Sequence, residues 1–244
     1  MRELAADLHI HTALSPCAAE EMTPPAIVEA AVRAGLDMIA ICDHNSAGNV
    51  LAVQEAAAGS LAVLAGIEIT TSEEVHVLGW FPGAAQALKA ARAVLRTLPR
   101  GRTPTRGFGV QRLMDSSGRI TGVERAMLSA ASTFALSGAL ELVREHGGLA
   151  VASHVDRPSF SVLGQLGVMP QDARFDAIEL SPAGRKSGRA KEFAELGLPM
   201  VCSSDSHSLA EVGTAFSVLR VQEASFEEVA LSLAGRDGRE VARA

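Results

Sequence analysis

Histidines and carboxylates recur along this chain in short clusters: His9-Ile10-His11 behind Asp7, Asp43-His44, Glu68 with His76, and Asp205-Ser206-His207. His154 joins them, and of the seven histidines only His146 stands apart. Imidazole and carboxylate are the donors that hold Zn, Mn or Fe. One such cluster is a weak signal, because a lone strand histidine is more often a satisfied core residue. Here the clusters span nearly the whole sequence, so only a fold can gather them, and the pattern points to a polynuclear metal centre.

Each cluster has its own logic. His9 and His11 lie two apart on an extended run and share a face. Asp43-His44 falls between the apolar Met38–Cys42 and the turn residues Asn45-Ser46-Ala47-Gly48. His44 reads as a ligand, and Asp43 as an acceptor behind it or a proton carrier, with a plain turn cap as the structural alternative. Glu68 sits inside the apolar run Leu61–Ile69 and must meet a cation there, since a buried unpaired carboxylate is costly. One carboxylate bridging two metals would meet that demand, and His76 reaches the same place if the two flanking strands return together. His154 opens the segment His154-Val155-Asp156-Arg157-Pro158. Arg157 either grips a phosphate through two parallel hydrogen bonds or pairs with Asp156 at a surface turn. Glu179, alone in the apolar Ala177–Leu180, reads as a structural partner of a Lys or Arg more than as part of the centre. Cys42 and Cys202 read as small core residues beside it.

The elements that must position these groups alternate between strand and helix, which argues an α/β fold with mainly parallel strands. Leu4–Ile10 reads as a strand; Thr23 caps a helix with Pro24 at its first position and Gly35 past its end. Asp37–Cys42 is a strand, Asn49–Ala58 a helix, Leu61–Thr71 and Val75–Phe81 strands, and Pro82–Leu98 a helix. Residues 99–121, rich in Gly, Pro and Arg, read as a basic loop or small insertion over a barrel mouth. Thr133–His146 is an amphipathic helix, Leu149–Ser153 and Asp176–Leu180 strands, Lys186–Leu196 a helix, Pro199–Ser203 and Ala215–Val221 strands, and Phe226–Leu233 the last helix. Five of the clusters then fall at the carboxyl ends of strands, where the loops of a parallel barrel converge on one mouth.

Composition sets the remaining bounds. With 244 residues and 48% hydrophobic content the chain can bury a full core, consistent with one domain over 1–244. No run of roughly 18 apolar residues suggests a membrane span, and the N-terminus lacks the look of a signal peptide. Three cysteines without CxxC spacing argue against a disulfide framework, so a cytoplasmic setting is expected. A net charge of −6 does not advertise nucleic-acid binding, yet Lys89–Arg112 carries one Lys and six Arg with no acid. That run is either a solvated helix face entering a loop or a basic lid that draws an anionic substrate, such as a phosphate ester. No phosphate-binding Gly loop or dinucleotide fingerprint is present.

With these residues in view the chain resembles the PHP (polymerase and histidinol phosphatase) family, in its small, free-standing metal-dependent phosphoesterase branch. The motifs come in order: Asp7-Leu8-His9-Ile10-His11-Thr12, Cys42-Asp43-His44-Asn45, Gly66-Ile67-Glu68-Ile69 with His76, then His154 and Ser204-Asp205-Ser206-His207. The resemblance implies a distorted (β/α)7 TIM-like barrel with two or three divalent metal ions (Mn, Zn or Fe). By position, one metal takes His9, His11, Glu68 and Asp205; a second shares Glu68 and adds His76 and His154; a third takes His44 and His207. Many members carry an acid or histidine shortly after the HxH pair. Here that stretch reads Ser15-Pro16-Cys17, so either Cys17 ligates as thiolate or the third metal is weak or absent.

The expected activity is hydrolysis of a phosphomonoester, or of a short nucleotide phosphodiester, by a metal-bound hydroxide. Asp43, His207 or a bound water would protonate the leaving oxygen, and Arg157 would add donors to the phosphate. The expected partner is a small phosphorylated substrate, a nucleotide or a short oligonucleotide among them. A metal-dependent hydrolase of a non-phosphate bond and a non-catalytic metal-binding regulatory protein are the competing readings.

Overall fold

The computed structural model describes residues 1–101 and 109–244; Arg102 and Arg106 of the basic run lie outside the described residues. In chain order the elements are β1 (Arg2–Ile10), α1 (Pro24–Arg33), β2 (Met38–Ile41), α2 (Val50–Ala57), β3 (Ala62–Thr70), β4 (His76–Phe81), α3 (Ala84–Leu95), β5 (Arg112–Met114) and β6 (Ile120–Val123). They continue with α4 (Leu136–Glu145), β7 (Leu149–Ala152), α5 (Val162–Leu166), β8 (Ala177–Leu180), α6 (Pro182–Lys186), α7 (Ala190–Phe193), β9 (Met200–Cys202), β10 (Ser217–Val221), α8 (Phe226–Leu233) and β11 (Glu240–Arg243).

One sheet runs in the order β11-β10-β1-β2-β3-β4-β7-β8-β9. The β1-β2-β3 and β7-β8-β9 groups are parallel, and β4 joins them antiparallel to both neighbours. The reversal is forced by chain length: residues 71–75 between β3 and β4 are too few for the crossover of roughly a dozen residues that a parallel pair needs. The ring closes at one rim, where Ile10 bridges Ser206 in parallel and the His11 N–H donates to the Ser206 carbonyl at 3.0 Å. Below that rim Ser217 of β10 satisfies β9 instead, accepting from the Cys202 N–H at 2.8 Å. The result is the expected distorted seven-stranded TIM-like α/β barrel, nearly closed, with β10 and β11 as an antiparallel ribbon on β1.

Two apolar layers hold it. Leu4, Ala6, Leu8, Ala40, Cys42, Leu78, Trp80, Val151 and Val201 pack together within the ring, while Ile39, Ile41, Ile67, Ile69 and Val77 pack outward under the helices. On β1 the alternation slips: Leu4, Ala6 and Leu8 belong to the first layer but Ile10 to the second, and the β1–β2 register shifts between Asp7 and Ile10. A bulge of this kind re-aims side chains. Here it turns His9 and His11 toward the interior of the rim. The Leu8 carbonyl at the slip accepts from the buried Trp80 indole N–H at 3.1 Å. Trp80→Phe should therefore lower stability by about 2–3 kcal/mol in urea unfolding, through lost contacts and a carbonyl left with only the weak Cys42 thiol donor at 3.6 Å.

Several local expectations need correction. Thr23 stands at the N-cap of α1 but its side chain makes no capping bond. The expected helix 186–196 is broken, since Gly188 takes left-handed backbone (φ 73) between α6 and α7. The stretch 99–121 contains, among its described residues, the hairpin strand β5 and the start of β6. Its described part is tied to the loop after β2: Asn49 donates to the Arg112 carbonyl and accepts from the Met114 N–H at 2.9 Å each. Asn45 donates to the Leu128 and Ala130 carbonyls at 2.9 and 3.0 Å. Within the basic run Arg112 is paired with Glu20.

Candidate metal centre

Every expected cluster reaches the same rim. His9 is the last but one residue of β1 and His11 follows its end. Past Ile41 the β2–β3 ladder continues, with the Glu68 N–H on the Asp43 carbonyl at 3.0 Å and the Asn45 N–H on the Glu68 carbonyl at 2.7 Å, which sets His44 beside Glu68. Because β4 is antiparallel, its first residue, His76, starts at this rim opposite Thr70. His154 lies two residues beyond β7, and Asp205 and His207 follow β9. The backbone is strained there, with φ 27 at His154 and φ 50 at Asp205, left-handed values that non-glycine residues seldom adopt.

Glu68 is the hub. Its Oε1 lies 2.9 Å from His76 Nδ1, 3.4 Å from His154 Nε2 and 3.5 Å from His9 Nε2. Its Oε2 lies 2.9 Å from His44 Nδ1 and 3.5 Å from His11 Nε2. Asp205 Oδ1 is 3.1 Å from His11 Nε2 and 3.3 Å from His9 Nε2, and those two nitrogens face each other at 3.1 Å. Two donors on one tetrahedral ion with bonds of 2.0–2.1 Å sit roughly 3.3 Å apart. Glu68 Oε2 and His76 Nδ1 are buried yet make no hydrogen bond of sound geometry, despite these short separations. Atoms crowded at ligand spacing and left without hydrogen bonds fit divalent cations. The donors fall into three such sets: His9 with His11 and Asp205; His44 with Glu68 and His76; and His11 with His44 and His207.

The charges respond accordingly. Burial opposes ionisation of Glu68, but His76, His9 and His44 outweigh it and hold its carboxyl well below the usual range. Asp205 is likewise held low against burial by His9 and His11. Burial, then His207 and His44, push His11 well below the usual imidazole value.

Residues behind the donors orient them. Glu179 has no Lys or Arg partner among the described residues. It accepts from His9 Nδ1 at 3.0 Å, from the His154 N–H at 3.2 Å and from the Ser153 hydroxyl at 3.3 Å. Its structural ion-pair reading is thus replaced by a role behind His9, which leaves the Nε2 lone pair facing the centre. Ser15 does the same for His11: its Oγ donates to Asp43 Oδ1 at 2.7 Å and lies 2.9 Å from His11 Nδ1. Asp43 is buried with its remaining oxygen on the Thr12 hydroxyl at 2.8 Å, and burial raises its pKa. The structure therefore sets Asp43 behind the imidazoles rather than at the mouth. Asp7 binds the Ser204 and Gly213 N–H groups at 2.9 and 3.0 Å and so ties down the loop that carries Asp205; burial pushes its pKa up to about 6. Of these, Ser15 is the one that sequence reasoning missed: a lone polar residue in a turn carries no periodic signal.

Arg157 does not pair with Asp156. Its Nη1 lies 2.6 Å from Asp205 Oδ2, whereas Asp156 binds the Ser181 N–H at 2.7 Å. Arg157, Asp205, Arg189, Ser181, Ser187 and Thr214 line a cleft of about 640 Å³ beside the centre. Exposed Cys17 lies next to His207 and His44, which lower its pKa to about 6 against the opposing effect of desolvation; burial raises that of Cys202 to about 11 and that of Cys42 further. In metal-free protein, iodoacetamide should label Cys17 alone, at a rate rising with a midpoint near pH 6 as the thiolate forms. A midpoint near that of a free thiol would contradict the assignment.

The fold and the donor set define an α/β barrel whose rim gathers the groups that could hold metal ions. The PHP domain signature matches residues 7–95 and a PHP-associated signature residues 184–235, together more than half of the chain. The chain belongs to the PHP family. It is similar to the uncharacterized protein YqxK of Bacillus subtilis (strain 168), at 26% identity over 99% of this chain and 64% of that protein. The lesion-specific endonuclease PfuEndoQ of Pyrococcus furiosus superposes with a TM-score of 0.72 at 20% identity, over 98% of this chain and 58% of that one. An endonuclease Q complex with a 27-mer duplex bearing an abasic lesion at the active site gives 0.73 at 19% identity, over the same shares. The chain thus spans less than two thirds of the length of these proteins. Among the described residues no helix is long and apolar enough to cross a membrane.

Proposed function

We propose that this PHP-type barrel, read as one unit over residues 1–244, is a metal-dependent phosphoesterase. The observation that carries the reading is the buried Glu68 set among five imidazoles at ligand spacing, with its Oε2 and His76 Nδ1 left without a hydrogen bond. His9, His11, Asp205 and Glu68 would hold one divalent ion, and His44, His76 and Glu68 a second with His154 alongside; His11, His44 and His207 offer a third place. Mn, Zn and Fe all suit these donors. Bound there, such ions supply Lewis acidity toward phosphoryl oxygens and make water a nucleophile near neutral pH.

The chain's own residues do the rest. Arg157, at the cleft edge and already beside Asp205, offers a planar set of donors to a phosphate oxygen. His207 is part-exposed; its Nδ1 bonds the Asp205 carbonyl at 2.9 Å, and its ring stacks on that of His11 with centroids 4.2 Å apart. Burial works against its cation, but Cys17 and Asp205 prevail and raise its pKa. His207 would hand a proton to a leaving oxygen when it is not itself a ligand, with Asp43, buried and held by Thr12 and Ser15, as the other candidate. The endonuclease Q likeness supports a nucleotide or oligonucleotide phosphodiester as substrate alongside simple monoesters. The three unpaired cysteines fit a reducing cytoplasm.

A panel of p-nitrophenyl phosphate, histidinol phosphate, nucleoside 3′,5′-bisphosphates, a short oligonucleotide and a non-phosphate ester, each with added Mn or Zn, tests the proposal. Turnover confined to phosphates is expected. Turnover of the non-phosphate ester alone, or none with metal bound, would overturn it.

A further inference from the structure

The loop that carries His154 and Arg157 also carries Phe160, and nothing described so far accounts for it. Aromatic residues are scarce in this chain: eight Phe, one Trp and no Tyr. Phe160 is nevertheless 40% exposed, the single aromatic residue among the exposed large apolar side chains of the described residues. Its backbone is held at φ 60, a left-handed value that costs a bulky residue energy. The loop is pinned on both sides of it. The Phe160 carbonyl accepts from the His76 N–H at 2.8 Å, and the Ser161 hydroxyl bonds the Arg157 carbonyl at 2.6 Å while capping α5. The ring stacks on the imidazole of His76, with centroids 4.7 Å apart and planes at 23°. A strained, exposed aromatic ring braced against a side chain of the metal centre is a device for presenting a flat apolar surface beside the reacting bond.

We propose that Phe160 is a stacking platform for a planar ring of the substrate, a nucleobase attached to the phosphate under attack, and so a specificity-determining residue. This rests on the phosphoesterase reading. Aromatic side chains of this kind stack on bases with little regard for sequence, because every base has a π-face. The phosphate would lie at the metals and Arg157, and the base on the side of Phe160 turned away from His76. A small acyclic phosphate ester would touch the first and not the second.

The test compares adenosine 3′-monophosphate with glycerol phosphate in the wild-type protein and in Phe160→Leu and Phe160→Trp. Leucine keeps an apolar contact with His76 but cannot stack; tryptophan stacks. For the nucleotide, Phe160→Leu should raise KM and lower kcat/KM about tenfold or more, with kcat little changed, while Phe160→Trp stays near wild type. Glycerol phosphate should be hydrolysed alike by all three. Equal losses on both substrates would show that Phe160 only positions His76, and no loss on either would remove it from recognition; both overturn the proposal. A protein that turns over no phosphate ester refutes the phosphoesterase reading instead. Stacking is then still read in Phe160→Trp, whose fluorescence adenosine 3′-monophosphate should quench and ribose phosphate should not. Absence of that difference overturns the platform independently of activity.

Discussion

Glu68→Gln should lose bound metal and turnover together, with kcat falling on the order of 10³-fold or more even under excess Mn or Zn. The amide keeps the size and one acceptor of the carboxylate, but it removes the charge on which five imidazoles converge. In the wild-type protein each Glu68 oxygen reaches both of the first two donor sets, Oε1 beside His9 and His76 and Oε2 beside His11 and His44. Its replacement therefore weakens two ions at once, which a ligand serving one set cannot do. His76→Gln, by comparison, should reduce metal content by about one ion and leave the His9, His11 and Asp205 set filled. Elemental analysis of desalted protein beside the initial rate checks both. Full activity in Glu68→Gln would remove the hub from the account.

Glu179→Gln should lower metal affinity by about 10–100-fold while leaving the ligands themselves in place. The carboxylate holds His9 Nδ1 at 3.0 Å and so fixes the tautomer whose other nitrogen faces Asp205 and Glu68. The amide can bond His9 from either end and no longer favours one tautomer. Activity should recover as metal is raised, which separates this variant from Glu68→Gln, where added metal does not restore it. A metal titration followed by activity distinguishes the two, and an unchanged affinity would return Glu179 to a purely structural role.

Much of this centre is legible in the sequence because its donors are chemically costly to bury. Glu68 inside an apolar strand demands a cation whatever the fold, and His9-Ile10-His11 shares a face in any extended conformation. Strand order follows from alternation, so the carboxyl-end placement of His44, His154, Asp205 and His207 follows too. What the sequence does not display is directional. The slip in β1 that turns His9 and His11 inward leaves no mark in composition. The antiparallel course of β4 rests on a five-residue connection. Ser15, Thr12 and Ser153 look like ordinary turn residues until Asp43, His11 and Glu68 stand beside them. The ribbon strand β11 is almost wholly exposed, so it carries no hydrophobic period to detect. Phe160 carries no signal at all in one dimension, since its exposure and its left-handed backbone are properties of the folded loop.

The most direct test of the account is anomalous diffraction from crystals of the metal-loaded protein, collected at the absorption edge of the bound element. Density is predicted at the rim between His9, His11, Asp205 and Glu68, and again between Glu68, His44 and His76. Peaks elsewhere, or none beside Glu68 in protein that binds stoichiometric metal, would contradict it.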